Sequence, residues 1–144
     1  MNIPNLRYFT LDEYKKASLG DDLPDDLLVD IYEIFSIVDE IRHHYGHPLR
    51  ILIGGAYRSQ DANSKIGGSK NSQHIYGRAL DLRPVQNCSE QEILNLKALT
   101  EKLLYEKKLP TESYLGIGVY LRKENSFIHI DCRKGVKARW VEDK

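Results

Sequence analysis

The chain has 144 residues, of which 41% are hydrophobic and 29% charged, and its 21 Lys and Arg residues balance its 21 Asp and Glu residues. A length in this range is typical of one domain with one hydrophobic core, so we expect a single domain over residues 1–144. Binding to nucleic acid or to an anionic membrane needs a surplus of basic residues on one face, so the balanced charge argues against both kinds of partner.

The N-terminal sequence MNIPNLRYFTLDEYKK has no apolar run after a basic segment, so it lacks the pattern of a secretory signal peptide. No stretch approaches the ~18 apolar residues of a membrane span. We therefore expect a soluble protein that is made in the cytoplasm. The cysteines, Cys88 and Cys132, form no Cys-x-x-Cys pair. Free buried thiols are the favoured interpretation, and a disulfide between them is the alternative.

The first predicted element is a helix from Asp22 to Gly46. Apolar residues recur there at intervals of three and four and form a single stripe, which consists of Leu27, Leu28, Ile31, Ile34, Phe35, Val38 and Ile41. Pro24 suits the first turn of a helix, and Gly46 suits the position just after its last turn.

The middle of the chain is predicted as strand, loop and strand. The segment from Leu49 to Ser59 has β-branched and aromatic residues, and Gly54 and Gly55 interrupt it, which indicates a strand with a bulge. The segment from Gln60 to Ile75 is rich in Gly, Ser and Asn, so we expect a long surface loop of a kind that is commonly functional. A short strand is predicted from Arg78 to Val85.

A second helix and a hairpin complete the prediction. The sequence Ser89-Glu-Gln-Glu92 matches a capping box, and the helix that it begins must end before Pro110. The segments Tyr114 to Leu121 and Ser126 to Arg133, joined by a polar turn, are typical of a hairpin. We therefore predict an α+β domain with a small antiparallel sheet and helices packed on one side.

Strand alternation brings chemically useful side chains together. In the last predicted strand the apolar residues face the core, so His129 and Asp131 share the opposite face. In the earlier strand Asp81 projects beside the small Ala79, and His74 precedes Asp81 by seven residues. Two histidines and one carboxylate are a usual ligand set for a catalytic zinc. On spacing alone, a solvated polar face is the alternative.

The residues around these positions resemble a known family. The pattern Ser-x-His-x-x-Gly-x-Ala-x-Asp of the zinc D-Ala-D-Ala carboxypeptidase family is complete from Ser72 to Asp81, and Tyr57-Arg58-Ser59 lies upstream. Downstream, Phe127-Ile-His129-Ile-Asp131 and Ala138-Arg139-Trp140 resemble the end of a subgroup of peptidase-like domains with a His-x-Asp ending. The resemblance extends from about Phe9 to Trp140 and implies the fold that this family shares with the hedgehog signalling domain.

The resemblance implies a zinc peptidase that hydrolyses peptide bonds in peptidoglycan stem peptides or cross-bridges, as a carboxypeptidase or an endopeptidase. It implies Zn²⁺ as the cofactor, with His74, Asp81 and His129 as its ligands. Arg58 matches the arginine that binds a substrate carboxylate, a role that suits a guanidinium fork, and a structural ion pair with a nearby acid is the alternative. Ser72 and Tyr120 are expected to contact the substrate, with a simple loop hydrogen bond as the alternative for Ser72 and packing as the alternative for Tyr120.

The catalytic base of the family is missing from its usual place. Many of these peptidases carry an acid three residues before the last histidine ligand or a histidine two residues before it, whereas this chain has Ser126 and Phe127 there. Asp131 is the first substitute, because it shares a face with His129, and Glu124 in the predicted turn is the second. Asp131 can instead orient His129 or serve as a ligand.

The missing base leaves a second hypothesis open, namely a zinc-containing binding module that keeps the fold and the metal but has lost hydrolysis. We expect a monomer with no nucleic-acid partner. A phage-encoded lysin or tail component, or release by another route, would explain how a protein without a signal peptide reaches the cell wall.

Overall fold

The computed structural model describes residues 5–19 and 22–143. Its helices and strands, in chain order, are α1 Leu11–Ala17, α2 Leu28–Tyr45, β1 Leu49–Ile51, α3 Gln60–Lys65, β2 Ala79–Pro84, α4 Glu90–Tyr105, β3 Gly116–Leu121, β4 Phe127–Asp131 and β5 Ala138–Asp143. A short 3-10 helix at Asp25–Leu27 precedes α2, and another at Lys123–Asn125 joins β3 to β4. This α+β architecture confirms the predicted fold class.

The strands form one mixed sheet in the order β1-β2-β4-β3-β5. The pairs β1–β2, β2–β4 and β3–β4 are antiparallel, as the sequence predicts. The strand β5 was not predicted, and it pairs in parallel with β3, with Gly116 opposite Ala138. Strand β4 runs antiparallel to β3 and so returns the chain to the Gly116 end of β3. Strand β5 starts near that end, on the side of β3 away from β4, and therefore runs parallel to β3.

Helices α2 and α4 cover one face of the sheet and enclose the core. The buried stripe of α2 contains Ile31, Ile34 and Ile41, as its apolar spacing predicts. The alternate strand residues Ile128 and Ile130 are fully buried against the helices. The opposite face of the sheet is therefore left for polar side chains.

Local signals explain the ends of α2 and α4. Helix α2 begins at Leu28, later than predicted, because the preceding residues Asp25–Leu27 form the 3-10 helix. It ends at Tyr45 and is followed by the cap residue Gly46, whose φ of 83° is left-handed and therefore favours glycine. Ser89 caps α4, since its hydroxyl accepts a hydrogen bond from the backbone N–H of Glu92 at 3.2 Å.

Two helices and one strand boundary differ from the prediction. Strand β1 ends at Ile51 rather than Ser59, because the chain turns at Gly54, which has a φ of 81°. Helix α3 occupies part of the predicted loop. It has no apolar periodicity to reveal it, and Ser59 caps it through a 3.1 Å bond from the Ala62 N–H. Helix α1 was also not predicted.

Within the described part of the chain, no helix is long and apolar enough to span a membrane.

Both cysteines are free; Cys132 is buried and Cys88 is partly exposed.

Candidate metal centre

Three buried side chains meet on the face of the sheet that the helices leave open. His74, Asp81 and His129 each offer a ligand atom, and these atoms all lie within 4.8 Å of one another. Asp81 on β2 and His129 on β4 are direct partners in the antiparallel register. His74 comes from the segment before β2, where its backbone carbonyl accepts a hydrogen bond from the Arg58 N–H at 3.1 Å. The structure thus brings together the three residues that the sequence predicts as metal ligands.

Each imidazole ring has one nitrogen engaged and the other directed at Asp81. His74 Nδ1 donates to the carbonyl of Ala56 at 2.9 Å, and its Nε2 lies 3.3 Å from Asp81 Oδ2. His129 Nε2 donates to Asp131 Oδ2 at 2.8 Å, and its Nδ1 lies 3.0 Å from Asp81 Oδ1. A metal at this point would meet two imidazole nitrogens and one carboxylate oxygen. This donor set fits a catalytic zinc and leaves a fourth position for water or substrate.

The electrostatics of the cluster favour a positive charge at its centre. Burial alone would raise the pKa of Asp81, but the two neighbouring histidines hold it well below its usual range. Burial alone would lower the pKa of His129, but its bonds to Asp131 and Asp81 raise it to about 9. The two carboxylates that flank the His129 ring therefore favour a positive charge at this point, which a bound metal ion would supply.

Asp131 lies beneath the cluster and is fully buried. One oxygen accepts hydrogen bonds from Arg133 N at 3.1 Å and Arg133 Nε at 2.9 Å, and the other accepts from Arg133 Nη2 and from His129, both at 2.8 Å. Gly116 on the neighbouring strand leaves room for this carboxylate, because a Cβ there would overlap it. Burial alone would raise the pKa of Asp131, but Arg133 and His129 outweigh this effect and hold it well below its usual range. The arrangement favours an orienting role for Asp131 over proton transfer with a water in the cleft.

Glu124 is not brought to the cluster. It lies in the exposed 3-10 helix after β3, where its backbone carbonyl accepts a hydrogen bond from Cys88 Sγ at 2.6 Å.

A cleft of about 640 Å³ opens over the cluster. Three arginines, Arg58, Arg122 and Arg133, line it. Asp81 is the single carboxylate among the described residues that line it. Arg122 and Arg133 form close ion pairs with Glu142 and Asp131, whereas Arg58 is 3.6 Å from Asp81, so Arg58 is the arginine best placed to bind an anionic ligand.

Residues 8–131 match the profile of the family described as peptidase M15, which covers most of the chain. This chain belongs to the peptidase M15 family. A zinc D-Ala-D-Ala carboxypeptidase from Streptomyces albus G is 45% identical over 42 residues, which amount to 29% of this chain and 16% of that protein. The match to this relative therefore spans about a sixth of its length. The family match supports a metallopeptidase, and the buried cluster is consistent with Zn²⁺ as its metal.

In this M15 chain Arg58 is held on two sides. Its Nε donates to the carbonyl of Gly54 at 2.7 Å and its Nη1 donates to Asn63 Oδ1 at 3.1 Å, while its Nη2 lies 3.6 Å from Asp81 Oδ2. Asn63 is nearly fully buried and donates through Nδ2 to the carbonyl of Ser69 at 2.8 Å. Asn63 therefore ties Arg58 to the glycine-containing loop, a role that its place in a polar, aperiodic segment did not reveal.

The two remaining predicted residues both lie at the cleft wall. Ser72 Oγ accepts a hydrogen bond from the His74 N–H at 3.2 Å, so it shapes the turn that carries this ligand. The Tyr120 ring stacks on Phe127, with centroids 4.5 Å apart and an interplanar angle of 4°. Both positions are compatible with contact to a substrate.

The sequence analysis did not assign Trp140 to the site. It lies on β5 directly opposite Gly118, and a Cβ at Gly118 would overlap the indole. The indole ring lies 5.1 Å from the His129 ring, centroid to centroid, and it lines the cleft. The pairing of β5 with β3 brings it to the site. The signal for it in the sequence was the resemblance of Ala138-Arg139-Trp140 to the end of the peptidase-like subgroup.

Proposed function

We propose that this M15 chain is a zinc-dependent peptidase that hydrolyses peptide bonds in peptidoglycan stem peptides or cross-bridges. The observation that carries this proposal is the His74, Asp81 and His129 cluster at the floor of an arginine-lined cleft. The family match supports the reaction, and the partial likeness to a zinc D-Ala-D-Ala carboxypeptidase supports the substrate class. When bound, zinc would polarise the scissile carbonyl and lower the pKa of a water ligand towards ~7.

The protein groups around the cluster would keep the ligands in place. The carbonyl of Ala56 and the carboxylate of Asp131 each fix one ring, so that His74 presents Nε2 and His129 presents Nδ1 to the metal. Partners of this kind orient the imidazole and strengthen it as a ligand. We assign Asp131 this orienting role, since both of its oxygens are already engaged.

Arg58 would bind the substrate carboxylate. A guanidinium has five N–H donors, and the bonds to Gly54 and Asn63 use Nε and one donor on Nη1. Donors remain on both terminal nitrogens, which can form two parallel bonds to one carboxylate. Because Arg58 Nη2 is only 3.6 Å from Asp81 Oδ2, a carboxylate bound there would lie next to the reacting peptide bond. This closeness favours removal of a C-terminal residue over internal cleavage.

One observation favours a second candidate, a zinc-containing binding module. No carboxylate other than the ligand Asp81 lines the cleft in the part of the chain that the structure describes. A general base for hydrolysis therefore has no evident candidate, since Asp131 is buried and Glu124 lies in an exposed turn.

The test combines metal analysis with substrate digestion. Purified protein would be assayed for zinc by elemental analysis, then incubated with synthetic stem pentapeptides and with purified peptidoglycan, and the products identified by mass spectrometry. We expect stoichiometric zinc and cleavage, both lost in Asp81→Asn. His47→Ala, on the exposed surface after α2, is the matched control and should retain both. Stoichiometric zinc with peptide binding but without cleavage would establish the binding module instead, and absence of zinc would contradict both candidates.

A further inference from the structure

The hydrogen bond between Trp140 and Tyr120 has a fixed direction. An indole N–H can only donate, so at the observed distance of 3.0 Å the Tyr120 oxygen must be the acceptor. The proton of the Tyr120 hydroxyl then has to point away from Trp140. A phenol that accepts from one side is thereby set to donate on another.

Packing holds this hydroxyl in the wall of the cleft. Tyr120 pairs with Phe127 across β3 and β4, and their rings are stacked. The Trp140 ring lies over Gly118, which is two residues before Tyr120 on β3, and beside the His129 ring. Both Tyr120 and Trp140 line the cleft. The pair thus forms the wall of the cleft on the β3 and β5 side, with Arg58 and Asp81 on the β2 side.

The hydroxyl keeps its proton at neutral pH. Burial raises the pKa of Tyr120, and the carboxylate of Asp81 raises it further despite the opposing effect of the Trp140 bond. The phenol also lies near the cluster, because the Trp140 ring that bonds it is 5.1 Å from the His129 ring and both line the cleft. Tyr120 is therefore an uncharged donor close to the place where a substrate carbonyl would react.

We propose that Tyr120 is a catalytic residue whose hydroxyl donates a hydrogen bond to the carbonyl oxygen of the scissile bond, and that Trp140 is the positioning residue that directs this hydroxyl. The inference rests on the proposed peptidase function. Negative charge develops on that oxygen as water adds to the carbonyl, so the bond strengthens in the transition state and raises kcat rather than substrate affinity. The arginines that line the cleft are engaged elsewhere: Arg58 by Gly54, Asn63 and the substrate carboxylate assigned to it, Arg122 by Glu142, and Arg133 by Asp131. This favours Tyr120 for the task.

The first test is kinetic and uses the zinc-loaded protein with a stem peptide that it cleaves. Tyr120→Phe removes one oxygen and keeps the stacked ring. We expect kcat to fall about 100-fold while KM changes by less than about twofold. Trp140→Phe keeps the hydroxyl but removes the donor that directs it, so kcat should fall less, by about 10-fold. Tyr105→Phe, at a side chain that is 88% exposed, is the matched control and should be unchanged.

The second test measures binding and does not depend on turnover. A phosphinate analogue of the peptide and the product peptide would be titrated calorimetrically into zinc-loaded wild type and Tyr120→Phe, after their zinc contents are shown to be equal. The variant should lose about 100-fold in affinity for the phosphinate and less than about twofold for the product. Equal phosphinate affinities, an unchanged kcat, or a rise in KM alone would overturn the catalytic role of Tyr120. A wild type that cleaves no stem peptide would overturn the proposed function; weaker phosphinate binding by Tyr120→Phe would then still show that this hydroxyl donates to a tetrahedral oxyanion in the cleft.

Discussion

The carboxylate of Asp131 accepts a hydrogen bond from His129 Nε2 at 2.8 Å while Arg133 donates to both of its oxygens. Because Nε2 is engaged from below, Nδ1 is the nitrogen that faces Asp81 and the proposed metal. A chain of contacts therefore runs from Arg133 through Asp131 to a metal ligand. Partners of this kind set which nitrogen of a histidine binds the metal.

Asp131→Asn should weaken zinc binding. An amide is a poorer acceptor than a carboxylate and also carries its own N–H donors, so it fixes the His129 ring less firmly. We expect the zinc affinity to fall about 10- to 100-fold, as measured by competition with a chelator, and activity to recover largely at saturating zinc. Loss of activity at saturating zinc with unchanged zinc affinity would instead identify Asp131 as the catalytic base. Glu124→Gln, in the exposed turn, is the control and should change neither quantity.

Arg58→Lys should impair binding of substrates with a free C-terminal carboxylate. Lysine keeps the charge, but it cannot bond Gly54 and Asn63 and still present a planar fork to the substrate. For a free-acid peptide KM should rise by at least about 10-fold, the loss expected for a bidentate charged contact. For the same peptide with a C-terminal amide, wild type and variant should differ little. Arg50→Lys, on the exposed side of β1, serves as the control, and an equal rise in KM for acid and amide peptides would contradict the assignment.

The three proposed ligands could be predicted from the sequence because two kinds of information agree on them. Strand alternation places Asp81 and His129 on the open face, and the motif that contains His74 resembles that of a zinc peptidase family. Their direct pairing across β2 and β4 then follows from the antiparallel register. What the sequence could not show is which nitrogen of each ring is free, since that depends on Ala56 and Asp131 in the folded chain.

The rest of the cleft wall depends on tertiary contacts that leave no local pattern. Strand β5 is half-exposed at the sheet edge, so its sequence ARWVED lacks the apolar alternation of a buried strand. Its parallel pairing with β3 is what places Trp140 against His129. Likewise α3 has no apolar stripe, and what it buries is the polar Asn63. The site roles of Asn63 and Trp140 were therefore missed, whereas the residues found lie either on strands with clear alternation or, like His74, in the motif that resembles the zinc peptidase family.

Gly118→Ala should destabilise the protein through its contact with Trp140. A Cβ at position 118 would overlap the indole, which cannot give way without losing its bond to Tyr120. We expect the free energy of unfolding to fall by about 1–3 kcal/mol, as for other overpacked sites, measured by urea denaturation with circular dichroism.

A double-mutant cycle can isolate how much the overlap between position 118 and Trp140 contributes to the loss of stability. In a Trp140→Ala background the Gly118→Ala change should be less destabilising, because the overlapping ring is gone. Equal effects in the two backgrounds would show that Gly118 matters for a reason other than Trp140. The fluorescence of Trp140, which is the single tryptophan of the chain, should also change in Gly118→Ala and gives an independent measure of its displacement.

The two cysteines should differ sharply in reactivity. Cys132 is 1% exposed, and burial, followed by the nearby carboxylates, raises the pKa of its thiol to about 12 from an ordinary 9.0. Alkylation requires the thiolate, so at about pH 8 this buried thiol should be inert. Cys88 is partly exposed and should react. Iodoacetamide followed by intact-mass analysis should therefore give one adduct on the folded protein and two in urea.

The Cys88→Ser variant sharpens this test, because it should give no adduct when folded and one when unfolded.

The raised pKa of Cys132 also predicts a pH dependence of the free energy of unfolding. The folded state favours the neutral thiol, so its contribution is fully present below about pH 9 and decreases as the pH rises towards 12. Cys132→Ala should flatten that part of the stability profile relative to Cys88→Ser. Rapid alkylation of Cys132 in the folded protein would contradict its burial at the end of β4. A mass two hydrogens short with no adducts would indicate the disulfide instead.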